Sequence, residues 1–347
     1  MNAPLCRNLG EVRSLAQAMD RAQVDSFEMR IPQALKDERS VVSIAQAVRF
    51  GACRALHAAI SADQQGSELL LRVRLTWRPG VRVARAAAEA RTEELSADEK
   101  QLWEKARRIL PADIREKPEI ERERWIHDWL CGHVTYRGAA DELSDNIYDR
   151  NCSAIGAMLD GQANCQGYAD AFYMLGTMAG LTVNIQIGTE GRPHAWNVIR
   201  LDGKWYILDV TFDDSAGIDT GEPHYYMFNV GRDLVEGLRE WDRRAASAAV
   251  AQTSDKWFYR QRGWGVKTND LSALASFCAV KGLKGEKTAW AVYTGKEVKD
   301  GAIEKAVAAA GKGLPYESVS IQNKRRGGMI YVTVHWNDEK ERAKGGK

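Results

Sequence analysis

The chain has 347 residues, of which 44% are hydrophobic and 28% are charged, and its formal net charge is +2. This composition is ordinary for a globular protein, and the small net charge excludes the strong basic footprint of a nucleic-acid-binding or membrane-surface protein. No stretch approaches the roughly 18 uninterrupted apolar residues that a membrane span needs. The length predicts about two or three domains.

The N-terminal part of the chain predicts a mixture of helices and strands. An amphipathic helix is followed by a strand at 24–31, a helix at about 40–60 and an alternating strand that ends at Pro79-Gly80. Residues 83–110 are rich in Ala, Glu, Lys and Arg and are predicted to be helical. Within them, Ser96–Glu99 has the composition of a capping box and predicts a helix restart.

The middle of the chain has the highest density of Trp, Tyr, His and Gly. A helix is predicted in "EIERERWIHDWLCGHVTYR", and a second one runs for four turns from Cys165 to Gly180. Two apolar-rich runs in "HAWNVIRLDGKWYILDVTFDD", residues 194–214, flank Asp202-Gly203. That dipeptide is the signature of a two-residue hairpin with a type I′ turn.

Beyond about residue 245 the pattern predicts a small α/β unit. It contains a helix at 270–281, a strand in "TAWAVYTG", a helix in "GAIEKAVAAAGKG", and two strands joined by a turn at Lys324–Gly328. We therefore predict three regions: an N-terminal α/β and helical region (1–118), a central core (119–245) and a C-terminal α/β domain (246–347).

The six cysteines are scattered along the chain, and none forms a C-x-x-C pair. This excludes a disulfide scaffold and a structural zinc site. His127, Cys131 and His133 superficially suggest a metal site, but no fourth ligand lies near them in sequence, so we predict no metal and no cofactor. Cys53 and Cys278 lie on apolar faces and are predicted to be buried fillers.

The stretch "GQANCQGYADAF", residues 161–172, places Cys165 in the first turn of a predicted helix, directly after the N-cap residue Asn164. In such a turn, free N–H groups and the positive helix end lower a thiol's pKa. The same N–H groups can hydrogen-bond an oxyanion. Position alone leaves two interpretations open, a nucleophile or an inert buried cysteine.

The predicted hairpin places a histidine beside an aspartate. Pairing Leu201 with Lys204 across the turn makes Asp209 a diagonal neighbour of His194 on one face of the sheet. An imidazole and a carboxylate at that separation can hydrogen-bond. A cysteine at a helix start, followed by such a dyad, makes a complete set of nucleophile, base and orienting group. The alternative is a core histidine and a carboxylate at a turn or strand edge.

These two segments together resemble the core of the bacterial transglutaminase-like superfamily, a papain-like group that includes cysteine proteases, transglutaminases and peptide N-glycanases. Upstream, "W-I-H-D-W-L…V-T-Y" resembles the first helix of that core, and "S-A-I-G-A-M-L-D-G" resembles its lead into the nucleophile. The resemblance covers about residues 119–230. It implies an α+β fold in which the nucleophile helix packs on an antiparallel sheet, with small α/β units flanking this core.

The resemblance also implies the chemistry of the site. Cys165 is expected to be the nucleophile, His194 the general base and acid, and Asp209 the orienting carboxylate. The implied reaction is acyl transfer on a peptide or protein amide through a thioester, with hydrolysis favoured over transamidation. A peptide or protein substrate is therefore the expected partner, and nucleic acid is not. Compartment and oligomeric state are left open.

Further residues are candidates for supporting roles. The backbone N–H of Cys165 is the expected first oxyanion donor, and the side chains of Gln162 and Tyr136 are candidates for the second. Trp196 and Trp205 are expected on the dyad's face of the hairpin, where they would line a substrate groove, exclude water or pack in the core. Asp213 and Asp214 either organise the end of the strand or, as is usual for such a pair, are solvated.

A different class of function is also open. The same fold could serve as a non-catalytic protein- or glycan-binding module, with the flanking α/β regions as its working surfaces. The presence of cysteine, histidine and aspartate together argues against this alternative, because a fold kept only for binding does not need all three.

Overall fold

The computed structural model describes residues 3–32, 35, 38–137, 150–189, 193–215, 224–235, 250–263, 265–294, 298–299, 301–316, 318–326 and 329–337. The chain divides into two compact units, Met1–Pro223 with Glu240–Val250, and His224–Arg239 with Ala251–Lys347. The three-region division stays a prediction. No helix within the described ranges is both long and apolar enough to cross a membrane.

The first unit begins with helices and a small antiparallel sheet. Its elements are α1 (Leu9–Ala22), β1 (Ser26–Pro32), α2 (Glu38–Gly51), β2 (Ala55–Gln65) and β3 (Glu68–Trp77). The strand order is β1-β3-β2, so β3 lies in the centre. The amphipathic first helix is confirmed, and its N-cap residue Asn8 accepts a hydrogen bond from the backbone N–H of Glu11.

The predicted helix over 40–60 is wrong in its second half. Helix α2 ends at Gly51, and the alanine-rich run that follows forms the edge strand β2, which pairs with β3 from Ala55 opposite Trp77 to Gln65 opposite Glu68. Alanine favours a helix in isolation, but pairing with the strongly apolar β3 decides the outcome. Tertiary context thus overrides local propensity here.

Three helices lead into the central core: α3 (Pro79–Ala88), α4 (Ala97–Ile109) and α5 (Glu119–His133). Pro79 is the first helical residue of α3, a position that suits proline because its missing N–H would have no helical partner. The helix expected over 83–110 is therefore two helices, and the predicted restart is confirmed. Ser96 and Glu99 form a reciprocal capping box at the start of α4.

The central core places one buried helix against the antiparallel strands β6, β7 and β8. Its elements are β4 (Thr135–Tyr136), β5 (Gln162–Ala163), α6 (Cys165–Met178), β6 (Val183–Thr189), β7 (Pro193–Leu201), β8 (Lys204–Leu208) and α7 (Val210–Ser215), with a 3₁₀ turn at Arg150–Cys152 and a π-helical turn at Gly156–Asp160. Strands β6, β7 and β8 are neighbours in this order. The predicted α+β class, with the helix that begins at Cys165 packed on an antiparallel sheet, is confirmed.

The hairpin of β7 and β8 has the predicted register. Leu201 pairs with Lys204, and the pairing continues to Asn197 opposite Leu208. Asp202 and Gly203 both have positive φ, 47° and 79°, as a type I′ turn requires. The pairing stops at Leu208, because the chain then turns into the short helix α7, which the sequence pattern did not predict.

The second unit is a smaller α/β structure. Its elements are β9 (Phe228–Val230), α8 (Arg232–Val235), α9 (Phe258–Gln261), β10 (Gly265–Thr268), α10 (Leu271–Leu283), β11 (Thr288–Tyr293), α11 (Ala302–Ala310), β12 (Ser318–Arg326) and β13 (Met329–Asn337). Strands β10 to β13 form a sheet in the order β10-β11-β13-β12. The predicted helices and strands are confirmed, but β12 continues to Arg326, so most of the predicted turn at Lys324–Gly328 is strand.

Candidate active site

The thiol of Cys165 lies at the start of α6, as the sequence predicts. Asn164 precedes it as the N-cap, and its side-chain oxygen accepts hydrogen bonds from the backbone N–H groups of Gln166 (2.9 Å) and Gly167 (3.3 Å). Cys165 is partly exposed to solvent. The nucleophile candidate is therefore held in the first helical turn, where a substrate carbonyl can approach it.

Two other cysteines differ from Cys165 in the way that the sequence predicts. Cys53 and Cys278 are buried, and burial raises the pKa of each thiol to about 12. A thiol with so high a pKa stays protonated at neutral pH and is a poor nucleophile. The prediction that these two residues fill apolar gaps is confirmed.

The structure brings His194 and Asp209 together. His194 Nε2 lies 2.7 Å from Asp209 Oδ2, and Asp209 is 1% exposed. The second carboxylate oxygen, Oδ1, accepts a hydrogen bond from the backbone N–H of Phe212 at 3.0 Å. Asp209 thus caps α7 and faces the imidazole at the same time, which fixes the direction of its carboxylate. The carboxylate can only accept, so Nε2 carries the hydrogen of this bond.

Strand β7 is also tied to helix α6. The side-chain amide of Asn197 donates to the backbone carbonyl of Ala169 at 3.0 Å. Asn197 follows His194 by three positions on β7, and Ala169 follows Cys165 by four positions on α6. This contact therefore ties β7 to α6 about one turn beyond Cys165. The catalytic roles of the three residues stay predictions.

The two tryptophans of the hairpin have different surroundings. The Trp196 ring is 1% exposed and stacks on the His194 imidazole, with ring centres 5.8 Å apart and planes inclined by 25°. This burial favours core packing for Trp196, and its groove role stays a prediction. Trp205 is half-buried on β8, opposite Arg200, and forms a bridge to Val250. A groove role for Trp205 stays a prediction.

The two candidates for the second oxyanion donor flank the nucleophile turn. Strands β4 and β5 pair in parallel, with Tyr136 opposite Ala163, so Tyr136 and Gln162 both lie beside the chain that enters α6. The side chain of Gln162 is exposed, and its Oε1 accepts a hydrogen bond from Arg137 Nη1 at 3.2 Å. Tyr136 is half-buried, 6.4 Å from Tyr168 between ring centres. Neither role is decided by these contacts.

The expectation that Asp213 and Asp214 are solvated is wrong. Asp213 is buried, and its Oδ2 lies 3.1 Å from Nε2 of the fully buried His127 in α5. Asp214 accepts a hydrogen bond from the hydroxyl of Tyr168 in α6. Helix α7 therefore presents three carboxylates to three different elements. A sequence signal existed: Asp209 and Asp213 are four positions apart, the spacing of one helical face, directly after a strand.

His127 lies between two carboxylates, which determines its charge. Its Nδ1 is 2.9 Å from Asp128 Oδ1, and its Nε2 faces Asp213. Burial by itself disfavours the charged imidazole, but Cys131 and the two aspartates outweigh burial, and the pKa of His127 lies well above its ordinary value. His127 is thus a buried cation that joins α5 to α7.

The motif His127, Cys131 and His133 is not arranged as a metal site. Cys131 Sγ lies 3.9 Å from His127 Nε2, but both imidazole nitrogens of His127 face carboxylates. His133 instead donates from Nδ1 to the backbone carbonyl of Trp129, at 2.8 Å. In the ranges that the structure describes, no group of three or more His, Cys, Asp or Glu residues is placed to hold a metal ion.

An open cavity of about 440 Å³ lies beside this cluster. Its lining consists of the last turn of α5, strand β4 and one carboxylate, namely Cys131, Gly132, His133, Val134, Thr135, Tyr136 and Asp214. Burial raises the pKa of Asp214 to about 6, and the Tyr168 hydroxyl and His127 only partly oppose this. The cavity therefore borders a carboxyl group that changes charge near neutral pH.

Comparison with known proteins gives matches to the central part of the chain. Residues 104–210 match the family model of the Transglutaminase-like superfamily. The human protein named kyphoscoliosis peptidase is 30% identical over 115 residues, which is 29% of this chain and 17% of that protein. Its mouse counterpart is 25% identical over 124 residues, which is 32% of this chain and 18% of that protein. The chain thus spans less than a fifth of the length of these relatives.

A solved structure described as a TGase also resembles the chain. It is 15% identical, with 57% of this chain and 52% of that chain covered, and the TM-score is 0.28. A TM-score of this size supports no structural argument. The likeness to the transglutaminase-like superfamily therefore rests on the sequence match over residues 104–210.

Proposed function

We propose that residues 104–210, a domain of the transglutaminase-like superfamily, form a thiol enzyme that transfers the acyl group of a peptide or protein amide, with water as the favoured acceptor. The observation that carries this proposal is the 2.7 Å contact between His194 Nε2 and the buried Asp209 carboxylate. An oriented imidazole beside a helix that begins with an accessible cysteine has the parts of a nucleophilic catalyst.

The first half of the proposed reaction makes a thioester. His194 takes the proton of the Cys165 thiol at Nδ1, because Nε2 is directed at Asp209. The Cys165 sulfur attacks the amide carbonyl carbon, and the oxyanion accepts hydrogen bonds from the backbone N–H of Cys165 and from Gln162 or Tyr136. The C–N bond then breaks as His194 returns the proton to the leaving amine. The buried carboxylate of Asp209 stabilises the imidazolium between these steps.

The second half releases the enzyme. His194 takes a proton from a water molecule, whose oxygen attacks the thioester carbonyl. The C–S bond breaks, a carboxylic acid leaves, and the proton on His194 returns to the Cys165 sulfur. A primary amine in place of water would give transamidation by the same steps. We favour water because the human and mouse relatives are named peptidases.

A comparison of matched cysteine variants tests this function. Parent, Cys165→Ala and Cys6→Ala would be incubated with a proteome-derived peptide mixture and with a labelled primary amine, and new N-termini and incorporated amine would be counted by mass spectrometry. Cys6 is a buried thiol of the same unit and serves as the control. We expect cleavage by the parent and by Cys6→Ala, and none by Cys165→Ala.

Other outcomes would correct the proposal in distinct ways. Amine incorporation without cleavage would make the protein a transamidase. Equal counts for the parent and Cys165→Ala would contradict catalysis by this thiol and would favour the binding module that uses the same fold.

A further inference from the structure

Arg78 is buried against the nucleophile helix, although it precedes the family domain in sequence. It is 1% exposed and lies at the junction of β3 and α3. Its Nη2 donates to Gln166 Oε1 at 3.0 Å, its Nη1 to the carbonyl of Cys152 at 3.3 Å, and its Nε to the carbonyl of Cys53 at 3.4 Å. All three nitrogens of the guanidinium are thus engaged, each by a different segment of the chain.

A second buried charged residue, Asp170, joins the same segments. It lies one turn beyond Gln166 on α6. Asp170 is fully buried, and its Oδ2 accepts hydrogen bonds from the backbone N–H groups of Gly80 (3.1 Å) and Ala154 (2.8 Å). A side chain at Gly80 would place its Cβ 2.6 Å from the Asp170 carboxylate, so only glycine permits this approach. Burial lowers the pKa of Arg78 and raises that of Asp170, and each charge opposes the shift of the other.

Arg78 contacts one sequence neighbour of Cys165 directly and is connected to the other through Cys152. Gln166, which follows the nucleophile, accepts from Arg78, and Arg78 also donates to the Cys152 carbonyl. Asn164, which precedes the nucleophile, donates from its side-chain amide to Cys152 Sγ at 3.0 Å. Asn164 is therefore linked to Cys152 directly, and Gln166 is linked to Cys152 through Arg78.

We infer that Arg78 is a positioning residue for Cys165, acting through the side chain of Gln166. A guanidinium suits this place because it offers several donors in one rigid plane to three acceptors on separate segments of the chain. Its effect on the reaction is to hold the thiol and the first N–H groups of α6 in one geometry, which is the preorganisation that nucleophilic attack needs. The inference rests on the proposed role of Cys165.

Arg54 provides a matched comparison within the same unit. Its side chain is also largely buried. Its Nη1 donates to the hydroxyl of Tyr173 on α6 at 3.0 Å, and its Nε donates to Oδ2 of Asp20 on α1 at 2.9 Å. Tyr173 lies eight positions beyond Cys165, which corresponds to about 12 Å along a helix. Arg54 therefore links the N-terminal region to α6 as Arg78 does, but its contact on α6 lies far from Cys165.

The test is the rate at which iodoacetamide alkylates Cys165, measured by peptide mapping in the full chain. Arg78→Lys, Gln166→Met and the double variant would be compared with Arg54→Lys, alone and with Gln166→Met, at a temperature where all are folded. We expect Arg78→Lys and Gln166→Met each to slow alkylation about tenfold, and the double variant to be no slower than the slower single one. Arg54→Lys alone should change the alkylation rate less than about twofold. In the variant that carries both Arg54→Lys and Gln166→Met, the two effects on the rate should multiply.

The outcomes separate this inference from the proposed function. If Cys165 in the parent is alkylated no faster than the buried cysteines, the proposed function itself fails. If Cys165 is reactive but Gln166→Met leaves its rate unchanged, or the effects of Arg78→Lys and Gln166→Met multiply, the positioning role is overturned. Gln166→Met removes only the acceptor of the bond, so it still decides the question if Arg78→Lys does not fold.

Discussion

Asp214→Asn tests the arrangement of charge around α7. Burial raises the pKa of the Asp214 carboxyl to about 6, against the partial opposition of Tyr168 and His127. In an unfolded chain an aspartate titrates at about 3.9. The folded protein therefore holds one more proton than the unfolded chain across roughly pH 4 to 6. Unfolding releases that proton, so this contribution to stability falls as the pH rises.

The size of the effect follows from the pKa difference. A carboxyl pKa raised in the folded state contributes stability that is complete below the unfolded pKa and is lost as the pH rises through the folded pKa. Two pKa units correspond to about 2.7 kcal/mol at 1.36 kcal/mol per unit. Asp214 is only partly buried, so solvent screening reduces the expected effect to about 1–2 kcal/mol.

Urea unfolding of the parent, Asp214→Asn and Asp202→Asn from pH 4 to pH 8 measures this effect. We expect the free energy of unfolding of Asp214→Asn, relative to the parent, to rise by about 1–2 kcal/mol across that range. Asp202→Asn removes a carboxylate from the exposed hairpin turn, so any change that both variants share is an effect of net charge. A difference for Asp214→Asn that stays constant with pH, or that moves in favour of the parent, would refute the raised pKa.

Three further substitutions test other contacts. Asp209→Asn keeps a good cap for α7 but removes the charge that faces His194. We therefore expect steady-state turnover to fall about 10²–10⁴-fold, while the free energy of unfolding changes by less than about 1 kcal/mol. An unchanged turnover would contradict the orienting role. Asp213→Ala leaves the buried His127 cation without a carboxylate on Nε2, and we expect a loss of about 3–5 kcal/mol in urea unfolding; a loss no larger than that of a surface substitution would contradict the buried pair. Gly203→Ala places a Cβ on a residue with φ of 79° and should cost about 1–2 kcal/mol in the same measurement, and an unaltered midpoint would count against the type I′ turn.

The His194–Asp209 contact could be predicted from the sequence because its cause is local. An Asp-Gly pair favours one turn type, and that turn sets one register, which brings the two residues close together. Asp209 itself lies one residue beyond the last strand pair, Asn197 with Leu208, and reaches His194 as the cap of α7 rather than as a strand residue. The N-cap at Asn164 and the capping box at Ser96 were predictable for the same reason. In each case the residues that determine the geometry lie within a few positions of one another.

Contacts between distant segments could not be predicted in this way. The burial of Asp213 depends on His127, which is 86 positions away, and the burial of Arg78 depends on Gln166, which is 88 positions away. A charged side chain gives no local sign that it will be buried, because only a partner from elsewhere makes burial tolerable. The misassigned strand β2 has the same explanation, since its partner β3 decided its conformation.

The two-residue turn of the β7–β8 hairpin has a consequence for the order in which the chain folds. His194 and Asp209 are only 15 positions apart, whereas the contact from Asn197 to Ala169 spans 28 positions and that from Arg78 to Gln166 spans 88. Closing a short loop costs less entropy, and hairpins form within about 1–10 μs. We expect the imidazole to meet its carboxylate early, and the turn that carries the thiol to be fixed only when the N-terminal segment docks. A chain still being synthesised or refolded would then hold a formed dyad well before it holds an aligned nucleophile.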